Sequence, residues 1–202
     1  MEKFKNQFFI VRHGEAKNNV DKVISCKIDT QKQHGLSELG QKQVQDEAEK
    51  YCDFDVIFSS PARRTMETAE IFCKTSGLHV IDDSRLQEFD VGDFDGKSVS
   101  DYKLFFKIHS DPNYEFENGE SLQAVLDRMQ NFISDIDKKY NNKKILIVTH
   151  GTPLEVLLDW SQNKKLTKRD ECLPNAKVYN CLLYTSPSPR DQRGSGMAGW
   201  AC

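Results

Sequence analysis

No apolar run in this sequence approaches the about 20 residues needed to cross a bilayer, so a transmembrane helix is not expected. A strong charge of either sign is also missing. The net charge is -3, which argues against nucleic acid or an anionic membrane as an obligate partner. The six cysteines (Cys26, Cys52, Cys73, Cys172, Cys181 and Cys202) include no Cys-x-x-Cys pair and none has a histidine at zinc-ligand spacing. Free thiols in a reducing cytosol are the simplest account of them. Met1-Glu2-Lys3-Phe4-Lys5 leads into a strand pattern with no signal-peptide hydrophobic region, and a cytoplasmic location is expected. There is no internal repeat.

What the chain does have is ordinary bulk for one domain: 202 residues, 38% hydrophobic and 29% charged. From Thr185 onward the sequence TSPSPRDQRGSGMAGWAC is rich in Ser, Pro and Gly and has no periodicity. LLYTSPSPRD looks like translated sequencing-adapter read-through. One domain over residues 1–184 is expected, with 185–202 a disordered or non-native tail.

The pattern before that tail alternates strands and helices. Continuous apolar runs predict strands at Phe8–Val11, Val56–Phe58, His79–Ile81, Ile145–Val148 and Val178–Leu183. Helical spacing predicts helices over Leu39–Cys52 (with Ser37 as cap), Arg63–Lys74 (closed by Gly77), Val99–Lys107, Ser121–Tyr140, and from Pro153. The stretch from Gly14 to Gly35 reads as a polar loop. The fold class is therefore α/β, a three-layer α/β/α sandwich with a mostly parallel sheet.

Two of these strands end in a notable way. Phe8–Val11 runs into Arg12-His13-Gly14-Glu15, and Ile145–Val148 runs into Thr149-His150-Gly151. Parallel strands bring their C-terminal ends to one edge, where open α/β sheets bind ligands, so the two histidines can converge. Arginine offers a permanently charged planar fork suited to phosphate, and neutral imidazole can act as nucleophile or proton carrier. A surface arginine beside a capping histidine would explain either segment alone; two such segments favour phosphoryl chemistry.

Five segments in order extend the pattern: Arg12-His13-Gly14-Glu15 with Asn19; Ser60-Pro61 with Arg64 and Thr68-Ala69; Leu86 and Glu88 with Gly92 and Gly96; Gly119-Glu120-Ser121; and Thr149-His150-Gly151. Together they resemble the histidine phosphatase superfamily, the phosphoglycerate-mutase-like fold, from Phe8 to about Leu183. The resemblance implies His13 as nucleophile, forming a phosphohistidine. It also implies Glu88 as general acid, and Arg12, Arg64 and His150 as holders of the phosphoryl oxygens, with Asn19, Ser25 and Gly151 in the binding site. The Gly14 turn leaves a carbonyl able to fix the His13 tautomer. Of the adjacent arginines, alignment from both sides selects Arg64, and Arg63 then points about 100° away. Glu15 is open between partner to an arginine and exposed loop acid; His34, His79 and His109 receive no role.

The implied enzyme is a metal-independent phosphomonoesterase without a cofactor, acting on a small phosphorylated substrate. Ala16 and Cys26 depart from the family pattern, which often has Thr or Ser and Gly there. The mutase branch carries basic and aromatic residues after the acid and a later arginine pair. Here Glu88 is followed by Phe89-Asp90-Val91, and no arginine pair occurs between Gly96 and Gly119, which favours hydrolysis. A cofactor-dependent mutase, a phosphoprotein phosphatase and a non-catalytic phospho-ligand module are the alternatives. Leu104-Phe105-Phe106 and Tyr114 read equally as a substrate lid or as core. Substrate identity and oligomeric state have no readable pattern.

Overall fold

Alternation inside the predicted strands explains the architecture. In β4 (Lys144–Thr149), Ile145 and Ile147 join one buried cluster while Leu146 and Val148 join another. A strand with both faces buried must lie between two helical layers, which is why its sequence is apolar without alternation. The structure, a computed structural model, describes residues 4–108, 111–166 and 173–180. The other strands are β1 (Gln7–Arg12), β2 (Val56–Ser59), β3 (Val80–Asp82) and β5 (Val178–Asn180). They form one sheet in the order β3-β2-β4-β1-β5, parallel except for β5, which runs antiparallel along β1.

One face is covered by α3 (Glu38–Ala48) and α4 (Arg63–Ser76) through Val44, Ala48, Ala69 and Phe72. The other is covered by α6 (Leu122–Lys139) and α7 (Gly151–Ser161). The α6 stripe Leu122, Val125, Met129, Phe132 and Ile133 is at most 1% exposed. Each such side chain contributes about 1.5–3 kcal/mol by leaving water. Ser121 caps that helix by accepting the Ala124 N–H. The α/β sandwich expected from the sequence is the fold observed, and no helix among the described residues is long and apolar enough to cross a membrane.

Several expectations are corrected in detail. The helix begun by Ser37 ends at Ala48, not Cys52, because Lys50 and Tyr51 donate to carbonyls three residues back and tighten the chain into a turn. Leu39 is 54% exposed, so the buried face of that helix is Gly40, Val44 and Ala48. The expected loop from Gly14 to Gly35 contains two single-turn helices, α1 (Lys17–Val20) and α2 (Ile28–Gln31). The helix expected from Pro153 starts at Gly151; proline is harmless in the first turn, where its missing N–H has no helical partner. The aromatic cluster belongs to the fold. Phe105 and Tyr114, on and after α5 (Val99–Ile108), pack with Phe94 and Phe116, whereas Leu104 is 67% exposed. Cys26, Cys52 and Cys73 are free thiols. The tail 185–202, residues 181–183 of the last predicted strand, His109 and the other three cysteines lie outside the described residues.

Candidate active site

β1 and β4 are neighbours with Arg12 in register with Thr149, and the His13 N–H donates to the Thr149 carbonyl at 3.0 Å. The sheet therefore delivers His13 and His150 to one edge, with ring centroids 5.3 Å apart. The backbone turn after His13 is held close to α3: a Cβ on Gly14 would lie 2.5 Å from the Gly40 carbonyl, and one on Gly40 2.0 Å from the Glu15 carbonyl. Two facing glycines are the only residues that permit this approach. Thr68 on α4 accepts the Gly14 N–H, and the Asn175 amide donates to the His13 carbonyl.

His13 is 2% exposed, and its Nδ1 lies 2.7 Å from the Gly14 carbonyl, which can only accept. The proton is thus assigned to Nδ1 and the lone pair to Nε2. Arg64 Nε donates to that lone pair at 3.1 Å. Arg64 is 1% exposed and gives three further donors to the Ser25 hydroxyl, the Ser25 carbonyl and His150 Nδ1. Burial pulls its guanidinium down to about 10, opposed by the Glu88 carboxylate and assisted by Arg12, so it is a cation at neutral pH. Arg63 points outward and pairs with Glu67. His150, also fully buried, accepts from Arg64 on Nδ1, which leaves the Nε2 proton to donate to the Ser60 hydroxyl at 2.8 Å.

Both histidines are held neutral. For His13 the main cause is burial, followed by the cations of Arg64 and Arg12, against a smaller opposing effect of the Gly14 carbonyl. For His150 burial again leads, followed by Arg64 and His13. The consequence for stability has a definite sign. The unfolded chain takes up protons at these histidines as pH falls through about 6.5, and the folded chain does not. From these histidines stability should be flat between that pH and about 7.5 and fall below it, by up to about 1.4 kcal/mol per pH unit for each histidine. Asp55 and Asp83 titrate below the ordinary carboxylate range, well clear of this window. Urea unfolding between pH 7.5 and 5 measures the effect, and an unchanged midpoint would contradict neutral burial of the pair.

Glu88 sits opposite. Its Oε1 accepts from the Phe89 and Thr152 N–H groups at 2.9 and 3.3 Å, and its Oε2 from Gly151 N–H at 3.3 Å. The carboxyl group is therefore set on the N-terminus of α7, where the Gly151 and Thr152 N–H groups hold its position. Arg12, half-buried, donates from Nη1 to the Leu173 carbonyl at 2.7 Å, and its buried Nε–H has no partner among the described residues. A Cβ on Gly151 would point between these two groups, 3.6 Å from Arg12 Nε and 4.0 Å from Glu88 Oε2. Glycine keeps that space open.

The sequence-selected residues divide accordingly. His13, Arg64, Ser25 and His150 form one hydrogen-bonded cluster, with Arg12, Glu88 and Gly151 beside it. Asn19 does not join them: its Oδ1 accepts the Ala16 N–H and shapes α1. Glu15 pairs with no arginine among the described residues, nor is it an exposed acid. It is half-buried and accepts from the Ser37 hydroxyl at 2.7 Å. His34, to which the sequence assigned nothing, places Nδ1 3.1 Å from the Ser25 hydroxyl. Arg128 was also missed. It forms a bidentate pair with Glu120 and donates to the carbonyls of Arg85 and Glu88, fixing the loop that carries the acid. Its only sequence signal was a lone charge on the mostly apolar side of α6.

This constellation coincides with a family match over nearly the whole chain: the family model of the histidine phosphatase superfamily (branch 1) matches residues 8–190. The chain belongs to the histidine phosphatase superfamily. It is 30% identical over 176 residues to the uncharacterized phosphatase PhoE of Bacillus subtilis, covering 86% of this chain and 84% of that protein. Phosphoserine phosphatase 1 of Hydrogenobacter thermophilus is 30% identical over 159 residues, covering 75% and 74%. Among solved structures, Bacillus stearothermophilus YhfR superposes with a TM-score of 0.76 at 24% identity, covering 86% of this chain and 89% of that one, a likeness of fold. Histidine phosphatase membership accounts for the order of the five sequence segments and for the pairing of a buried histidine with a buried arginine.

Proposed function

We propose that this histidine phosphatase hydrolyses small phosphomonoesters through a phosphohistidine on His13. The observation that carries the reading is the fixed tautomer: Nδ1–H on the Gly14 carbonyl leaves the Nε2 lone pair facing Arg64 in a buried site. A phosphoryl group bearing two negative charges is a stronger acceptor for Arg64 than neutral imidazole. Substrate would take over the Arg64 Nε–H, the Nη1 donors and the Arg12 Nε–H, which frees His13 Nε2 to attack phosphorus. The N–P bond forms as the ester P–O bond breaks, and Glu88, carrying a proton, delivers it to the departing oxygen. Water then attacks the phosphohistidine, Glu88 takes its proton, and inorganic phosphate leaves with His13 restored. Charge on the phosphoryl oxygens persists throughout, so fixed cations make the main catalytic contribution. In this geometry His150 supports Arg64 rather than meeting phosphate, since both its ring nitrogens are engaged.

Hydrolysis is favoured over mutase chemistry because Arg128, which donates to the Glu88 carbonyl, is committed to Glu120 and cannot grip a substrate carboxylate without breaking that pair. The free thiols Cys26, Cys52 and Cys73 suit a reducing cytoplasm. The testing experiment is turnover of p-nitrophenyl phosphate and a panel of alkyl phosphomonoesters after exhaustive chelation. Hydrolysis should persist, because Arg12 and Arg64 supply the positive charge that a two-metal enzyme takes from ions. Loss of activity with EDTA, restored by a divalent ion, would overturn the reading. So would phosphoryl exchange between positions of a phosphoglycerate with no release of phosphate.

A further inference from the structure

Ser25 and His34 stand on two chain segments that are anchored separately. Around Ser25, the Ile24 N–H donates to the Lys97 carbonyl at 2.9 Å and the Ile24 carbonyl accepts from Gly96 at 3.0 Å. Asp95 accepts the next N–H, that of Cys26, at 2.7 Å. Around His34, Glu67 on α4 pairs with Arg63 and accepts the Leu36 N–H at 2.6 Å. The Gly35 carbonyl accepts from Lys17 N–H, and a Cβ on Gly35 would crowd both Glu67 carboxylate oxygens at 2.8 Å. The segments meet where His34 Nδ1 lies 3.1 Å from the Ser25 hydroxyl. Neither backbone depends on that contact for its place.

The buried Ser25 hydroxyl has one proton and two lone pairs to place. Arg64 Nη1 donates to one lone pair at 3.3 Å, while Nη2 holds the Ser25 carbonyl at 2.9 Å. The same guanidinium donates through Nε to His13, so the hydroxyl stands one side chain away from the nucleophile. His34 decides the rest. Nδ1 with a lone pair draws the hydroxyl proton toward itself; Nδ1 with a proton fills the second lone pair and leaves the hydroxyl proton for the site. A neutral imidazole supplies either, according to which ring nitrogen is protonated. An arriving phosphoryl group selects the second state, because its charged oxygens are stronger acceptors than imidazole. They also compete for Arg64 Nη1. A hydroxyl that gives its proton to phosphate and loses Arg64 keeps a donor only if His34 provides one.

We propose that His34 is a positioning residue for phosphoryl binding, whose Nδ1–H on Ser25 Oγ turns the Ser25 hydroxyl proton onto a phosphoryl oxygen. The assignment rests on the phosphomonoesterase reading above and adds to it a side chain that does not itself touch substrate.

The experiment measures Ki for inorganic phosphate against hydrolysis of p-nitrophenyl phosphate, a constant that does not depend on the folded fraction. Ser25→Ala should raise Ki by about tenfold, the effect of one hydrogen bond to a charged group. His34→Leu should raise it by about the same factor, since the buried hydroxyl oxygen then lacks its donor. His34→Asn, whose amide can place an N–H near the Nδ1 position, should stay within about threefold of wild type. In the Ser25→Ala background His34→Leu should have no further effect, because its action passes through the hydroxyl. KM should follow Ki while kcat changes by less than about threefold, as for binding lost equally from ground and transition states. Additive losses in the double variant would mean that His34 acts apart from Ser25. A lower kcat with unchanged Ki in His34→Leu would mean that it only holds its loop. Either result, or failure of His34→Asn to restore Ki, would overturn the proposal, and wild-type turnover would leave the phosphomonoesterase reading standing. A wild type that neither hydrolyses p-nitrophenyl phosphate nor binds phosphate would overturn both.

Discussion

Replacing His13 with alanine should abolish the phosphoenzyme and lower turnover by on the order of 10⁴-fold or more, the scale on which losing a covalent nucleophile is felt. In the wild type, rapid quench with labelled substrate should give an adduct that is acid-labile and alkali-stable, as a P–N bond is. The same quench of His13→Ala should give none. Folding is the first concern with this variant, because it leaves the Gly14 carbonyl and Arg64 Nε without their partners. It also removes a neutral group from between two cations, and a buried unsatisfied donor costs about 1–3 kcal/mol. The melting temperature should therefore fall, yet the adduct separates chemistry from stability: a folded variant that still traps phosphate has another nucleophile. An alkali-labile adduct on a serine, or one on Cys26, would refute His13. Cys26 is a poor rival, since burial raises its thiol far above the ordinary range and keeps it protonated.

The site's outline was legible because strand ends are legible. Arg12-His13 and Thr149-His150 follow apolar runs, and once both runs are parallel neighbours their termini must meet. The choice of Arg64 over Arg63 needed only helix geometry. What the sequence hid were contacts made by side chains whose types have many uses. His34 reaches Ser25 from a loop of no periodicity. Arg128 lies on a helix whose other signals are about packing, and its partner Glu120 is distant enough that no short motif joins them. Asn19 is ambiguous for a related reason: an asparagine three residues into a turn can cap backbone as readily as bind ligand, and here its Oδ1 accepts the Ala16 N–H. Helical spacing places Leu39 in the predicted helix, but in the first turn of α3 it stands exposed and does not join the core.

Glu88→Gln should separate proton donation from scaffolding. The amide keeps the shape, and its oxygen at the Oε1 position retains the Phe89 and Thr152 N–H groups. The amide nitrogen then faces the Gly151 N–H, and only the 3.3 Å contact is lost. A structural role would thus be mostly preserved and a proton-transfer role removed. Protonation matters when the leaving oxygen is a basic alkoxide, as from O-phosphoserine or glycerol phosphate, and matters little for p-nitrophenolate. General acid catalysis contributes about 10²–10⁴-fold. The rate of phosphoenzyme formation on an alkyl phosphate should fall by that factor, while the burst with p-nitrophenyl phosphate should change by less than about tenfold. Steady-state turnover of both substrates should drop, because the same carboxylate takes the proton from water in the second step, so phosphoenzyme should accumulate with p-nitrophenyl phosphate. Equal losses in the two burst rates would make Glu88 a scaffold for the start of α7. The proton donor would then have to come from another polar group beside the site.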